Sequence, residues 1–173
     1  EGELLAANVN FMSSTLAGEV EILVDVPGFV SESIKFDVLP GDPVKFEVNA
    51  NTESIYTSAA NTATINAYLL DENDNLVETD NETIIEFEAT SSTNEFINLS
   101  GSDVVSEEGI ANNSITANDI SGVANITVNS AGLETGIISL DITKHLTHED
   151  VSKFSPRALY ISLLGGSFGN LTN

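Results

Sequence analysis

Asp71-x-Asn73-x-Asn75 places three side-chain oxygens at alternate positions, Asp80 follows close behind, and Glu82 stands twelfth in the run. That is the oxygen spacing of a loop that grips calcium. The sixth position is Leu76, where the sharp turn of such a loop takes glycine, and the flanking residues read as strands rather than helices. The same spacing equally serves a hairpin turn, because Asx side chains close turns onto their own backbone without an ion. Asp71, Asn73, Asn75 and Asp80 are therefore the candidate ligands of a calcium ion, and no other cofactor is expected.

Three further constellations could do chemistry. Gly165-Gly166-Ser167-Phe168-Gly169 fits Gly-x-Ser-x-Gly behind an apolar run, as a nucleophile elbow would. The elbow needs a helix behind its serine, yet four residues remain after Gly169, both histidines precede Ser167, and the chain is not α/β. A strand exit is the expected role, and no catalytic residue is assigned. His145 and His148 are three apart beside Glu149 and Asp150, but no third and fourth metal ligands are evident. Lys35 and Lys45, rare cations in an Asn-rich field, could each be crosslinked to an asparagine with loss of ammonia, or simply pair with a carboxylate. The absence of cysteine excludes disulfides, thiolate metal sites and Cys nucleophiles together.

The elements that must position these groups are strands. The 173 residues are 41% apolar, enough for a real core, and without Trp that core must be built from Val, Ile, Leu and Ala with eight Phe and three Tyr. Residues 19–26 alternate and stop at Pro27-Gly28; residues 33–39 follow and stop at Pro40-Gly41-Asp42-Pro43. Val44, Phe46 and Val48 share one face of the next strand, with charge on the other. The same alternation returns at residues 63–70, 83–89, 123–128 and 136–142. Short strands separated by polar turns make a sandwich. Thr147 as N-cap, with acids in the next turn, allows one or two helical turns before Ser155-Pro156, and residues 158–164 form a nearly continuous apolar strand.

Charge sets the surroundings. With 27 acidic residues against five Lys and Arg, the net charge is −22. All of the acids except Glu149 and Asp150 precede Lys144, facing only Lys35 and Lys45, whereas the final stretch adds Lys144, Lys153 and Arg157. So negative a field repels nucleic acid and anionic membranes. No apolar stretch approaches the length of a membrane span. Asn81, Asn98, Asn112, Asn125 and Asn170 each open an Asn-x-Ser/Thr sequon, which points to an exported glycoprotein where the host glycosylates. The chain starts at Glu1 with no basic-then-apolar leader and reads as a processed or excised segment.

From residue 44 to 143 the order of features resembles the bacterial Ig-like domains of the invasin and intimin type. Thr62-Ala63-Thr64-Ile65-Asn66-Ala67-Tyr68-Leu69-Leu70 running into Asp71-Glu72-Asn73-Asp74-Asn75-Leu76-Val77 is similar to that family's strand and Asp-x-Asn-Gly-Asn-Pro-Val turn. Residues 83–89 match its Val-x-Phe strand, and Gly122-Val123-Ala124-Asn125-Ile126-Thr127-Val128 its Gly-x-Ala-x-Val-Thr strand. Asp74 stands where the family usually has Gly, and Leu76 where it often has Pro. The resemblance implies spacer or adhesin duty at a prokaryotic cell surface and carries no catalytic residues.

The expected fold class is all-β: an immunoglobulin-like β-sandwich over 44–143, N-terminal strands over 1–43, and over 144–173 at most one short helix with a terminal strand. The expected function is a non-catalytic, extracellular structural or adhesive module. A subunit of an extracellular filament or surface layer, donating residues 3–12 or 158–164 as a strand to an identical subunit, is the alternative. A β-rich accessory domain of an exported hydrolase is the third. Expected partners are neighbouring domains or identical subunits, and the long polar stretch from Ser91 to Ala117 is the place to look for a binding loop.

Overall fold

The computed structural model describes residues 8–57, 62–89 and 96–144. The expected helix after Lys144, the terminal strand at 158–164, His145, His148, the Gly165–Gly169 motif and Asn170 lie outside them, as do residues 3–7. Among the described residues every regular element is a strand.

The described residues form eleven strands in three sheets. β1 (Gly18–Val24) and β2 (Glu32–Val38) make a hairpin by themselves. β3 (Lys45–Ala50), β5 (Thr62–Leu70), β9 (Ile110–Ala117) and β7 (Ile97–Leu99) lie side by side in a four-stranded antiparallel sheet. The second layer runs β4 (Ser54–Tyr56), β11 (Gly136–Thr143), β10 (Gly122–Asn129), β6 (Ile84–Ala89) and β8 (Asp103–Val105), with β4 parallel to β11 and the rest antiparallel.

The two larger sheets close over one core because their strands alternate. On β5, Ala63, Ile65, Ala67 and Leu69 are fully buried while Thr62, Thr64, Asn66 and Tyr68 face outward. Ile85 and Phe87 from β6, Ala124, Ile126 and Val128 from β10, and Leu140 and Ile142 from β11 meet them from the other layer. Ala67 and Ala111 lie opposite one another, and Phe87, the largest fully buried side chain among the described residues, belongs to the same core. At Gly136 a Cβ would lie 2.5 Å from the Val48 side chain, so only glycine lets β11 pass β3 at this edge.

The expected alternation at 63–70, 83–89, 123–128 and 136–142 matches the observed strands within a residue or so. The polar stretch at 91–117 is different: its described part holds β7, β8 and β9. β9 carries Asn113 inward, between Ala111 and Ile115, which breaks the apolar period and hides the strand from a sequence reading. Asn113 is 1% exposed and fully satisfied, accepting from Ser100 Oγ (2.8 Å) and N (3.2 Å) and donating to the Gly101 carbonyl (2.7 Å).

Candidate interaction site

The polar constellation singled out by spacing sits at one pole of the sandwich, where the front hairpin joins it. Asp71 follows directly on β5 and is buried. Its Oδ1 accepts the backbone amides of Asn73 (2.8 Å) and Asn75 (2.9 Å), and its Oδ2 accepts the amide of Gly41 (2.9 Å) and the side-chain amide of Asn75 (2.8 Å). The turn is thus an Asx turn closed onto its own backbone. Asp74 takes φ +66°, the left-handed conformation that glycine adopts freely and that Asp tolerates better than most residues. Leu76, in the place of the family's proline, bridges back to Leu70.

Asn75 carries the connection outward. Its Oδ1 accepts the amide of Ala17 (2.9 Å) and its Nδ2 donates to the carbonyl of Thr15 (2.8 Å), so the chain entering β1 is held by the turn that leaves β5. Together with the Gly41 bond, Asp71 and Asn75 grip both ends of the hairpin. The side-chain amide of Asn75, then the amides of Gly41, Asn75 and Asn73, hold the Asp71 carboxyl far below the usual carboxylate range, against the opposing pull of burial.

Asp80 anchors a second turn beside the first. Its oxygens accept from Thr83 Oγ1 (2.7 Å), the Thr83 amide (3.1 Å), the Glu82 amide (3.4 Å) and the hydroxyl of buried Ser106. Burial pushes its carboxyl up, and these hydrogen bonds outweigh it, leaving the pKa below the ordinary value. The tight turn between β8 and β9 docks on this loop: Glu108 donates its amide to Asn81 Oδ1 (2.9 Å) and Gly109 to the Asp80 carbonyl (2.8 Å). Glu108 and Gly109 both have positive φ, the geometry of a tight two-residue hairpin turn.

The four candidate calcium ligands are therefore neighbours in sequence whose two carboxylates serve separate hydrogen-bond networks, Asp71 in the first turn and Asp80 in the second. Among the described residues no group of three His, Cys, Asp or Glu side chains gathers to hold a metal. Lys45 pairs with Asp74 (2.7 Å) and Lys35 with Glu19 (2.8 Å), as ordinary ion pairs. The hydrogen bond to Asp74 raises the Lys45 pKa, partly opposed by burial. Of the described sequon asparagines, Asn81 has both ends of its amide engaged, Asn98 bonds Asn118, Asn125 accepts from Ser139 Oγ (2.7 Å), and Asn112 points outward from β9, exposed. A cleft of about 510 Å³ opens at the junction, with Gly18, Val38 and Pro40 on one side and Asn75, Leu76 and Thr79 on the other.

No family model and no curated protein matches the sequence. Solved structures do share the fold. A β-glucuronidase from glycoside hydrolase family 2 aligns at TM-score 0.58 and 11% identity over 78% of this chain and 15% of its own. A glycosyl hydrolase family 2 member from Bacteroides cellulosilyticus aligns at TM-score 0.57 and 13% identity over 73% of this chain and 17% of its own. The D00-D0 domain of intimin aligns at TM-score 0.49 and 14% identity, over 76% of this chain and 66% of its own. The chain thus spans less than a fifth of the glycoside hydrolases it resembles. Two antiparallel-rich sheets packed face to face over one core define the class: an all-β, immunoglobulin-like sandwich.

Proposed function

We propose that this chain is a non-catalytic, extracellular Ig-like module of a cell-surface protein, with structural or adhesive duty. What supports the reading is the use to which the polar groups are put: Asp71, Asn75 and Asp80 are all engaged in holding turns and the incoming hairpin. A polar pole of this kind makes a firm mechanical joint between consecutive elements. The strongly acidic surface suits a protein kept soluble and separate from nucleic acid. Glycans on exposed sequons, Asn112 foremost, belong to the same reading.

Antibody against the purified chain, applied to intact and to permeabilised source cells, tests the location. Labelling of intact cells is the expected result, and labelling only after permeabilisation overturns it. Turnover of acyl or glycosyl reporter substrates that disappears in Ser167→Ala would overturn the non-catalytic part.

A second reading is a β-rich accessory domain of an exported hydrolase. It draws on the likeness to family 2 glycoside hydrolases, of which a fold like this one forms a small part. A catalytic domain encoded in the same reading frame would decide for it.

A further inference from the structure

We propose that the apolar face of the β1–β2 hairpin is a docking surface for residues 158–164 of a second copy of this chain, so that copies associate head to tail. The inference goes beyond the adhesive reading and does not rest on it.

The hairpin is amphipathic, and among the described residues no second sheet or strand packs on its apolar side. Val20 lies opposite Phe36, Ile22 opposite Ile34, and Val24 and Val38 continue the same face, while Glu19, Glu21, Lys35 and Asp37 occupy the other. Phe11 reaches across to touch the Phe36 ring edge-on at 5.1 Å. Ile34 nevertheless remains 61% and Val24 54% exposed, and Phe29 and Val30 at the tip are 78% and 85% exposed. A two-stranded sheet needs something packed on its apolar face to be stable in water, and a contiguous exposed patch of this kind marks an interaction surface.

Length, charge and position select the occupant. Residues 158–164, Ala-Leu-Tyr-Ile-Ser-Leu-Leu, are seven long, as β1 and β2 each are. The hairpin carries Glu19, Glu21, Asp25, Glu32 and Asp37 against Lys35 alone, and the stretch from Lys144 onward, with Lys153 and Arg157, is the part of the chain with a positive balance. Complementary charge favours their encounter where two acidic sandwich bodies repel. β11 starts at the hairpin pole, where Glu134 bridges to Lys45, and ends with Thr143 beside Tyr56 at the opposite pole. The strand's eight residues separate the two poles by about 24 Å. The end of β11 therefore lies remote from its own hairpin, where the hairpin of a following copy can meet the segment that follows. An interface of this heterologous kind links copies into rings or open chains.

Light scattering after size exclusion of the full chain, in enough salt to screen the charge between bodies, tests the proposal. The mass should rise with concentration. Ile34→Asp, at a site exposed enough to leave the fold intact, and Ile161→Asp should each give monomer, and their equimolar mixture should give a two-chain species, because each supplies the half the other lacks. Ile137→Asp, at a position 67% exposed on the sandwich, should associate like the wild type. A wild type that is monomeric at every concentration overturns the proposal. So does association that survives Ile34→Asp or Ile161→Asp, and so does a monomer whose melting temperature falls on Ile161→Asp, which would seat the segment on its own hairpin.

Discussion

Asn75 gives its side-chain amide to the carboxylate of Asp71 at 2.8 Å while its carbonyl oxygen takes the amide of Ala17, fifty-eight residues earlier in the chain, at 2.9 Å. One amide side chain thereby ties the turn after β5 to the entrance of the front hairpin.

Asn75→Ala removes this tie. Losing hydrogen bonds that leave partly buried partners unsatisfied costs roughly 1–3 kcal/mol, so the urea midpoint should fall while the sandwich stays folded, and the Ala17 amide should exchange with solvent faster than in the wild type. Unchanged exchange at Ala17 would mean that the hairpin is held by other contacts.

Acid should act through Asp71. Its pKa is depressed in the folded state, so its stabilisation is present above the unfolded carboxylate value of about 3.9 and drains away as pH falls toward the folded value. Asp80, depressed in the same direction, adds to the loss in that window. Urea midpoints taken from pH 6 down to pH 2 should show a shallower acid decline in Asp71→Asn than in the wild type, and parallel declines would count against the assignment.

Calcium should change little. The Asp71 oxygens already accept backbone and side-chain N–H donors that an ion would have to displace. Millimolar calcium should therefore raise the melting temperature no more than sodium chloride of equal ionic strength. A calcium-specific rise that is lost in Asp71→Asn would instead establish a calcium loop there.

Gly109→Ala tests the turn that docks on Asp80. Gly109 has φ +73°, and a Cβ there would lie 2.5 Å from the Val77 carbonyl oxygen, a backbone atom with nowhere to retreat. The strained conformation alone costs about 1–3 kcal/mol, and the steric clash adds to it. Thermal melting should fall by several degrees, and a neutral result would show that the loop yields.

Much of this architecture is legible in the residues. Strands such as Lys45–Ala50 and Thr62–Leu70 alternate so regularly that their inward faces can be named in advance. β4 and β9 were not legible, for physical reasons: β4 offers three residues with Ile55 alone buried, and β9 turns Asn113 into the core, where hydrogen bonds from a distant loop satisfy it. The Asp71 turn was visible as a pattern of oxygens, but spacing along the chain does not say whether an oxygen faces an ion or an N–H group.

By itself, then, the sequence determined the all-β class, the alternating faces, the absence of thiol chemistry and the acidic field, because these follow from local periodicity and from composition. Only the tertiary structure decided that Asp71 and Asn75 join hairpin to sandwich, that Asp80 and Ser106 share one network, and that Ile34 and Val24 on one face of the hairpin stand exposed. Each of those depends on which distant residues are brought together, and backbone donors such as those of Ala17 and Gly41 leave no mark in a sequence.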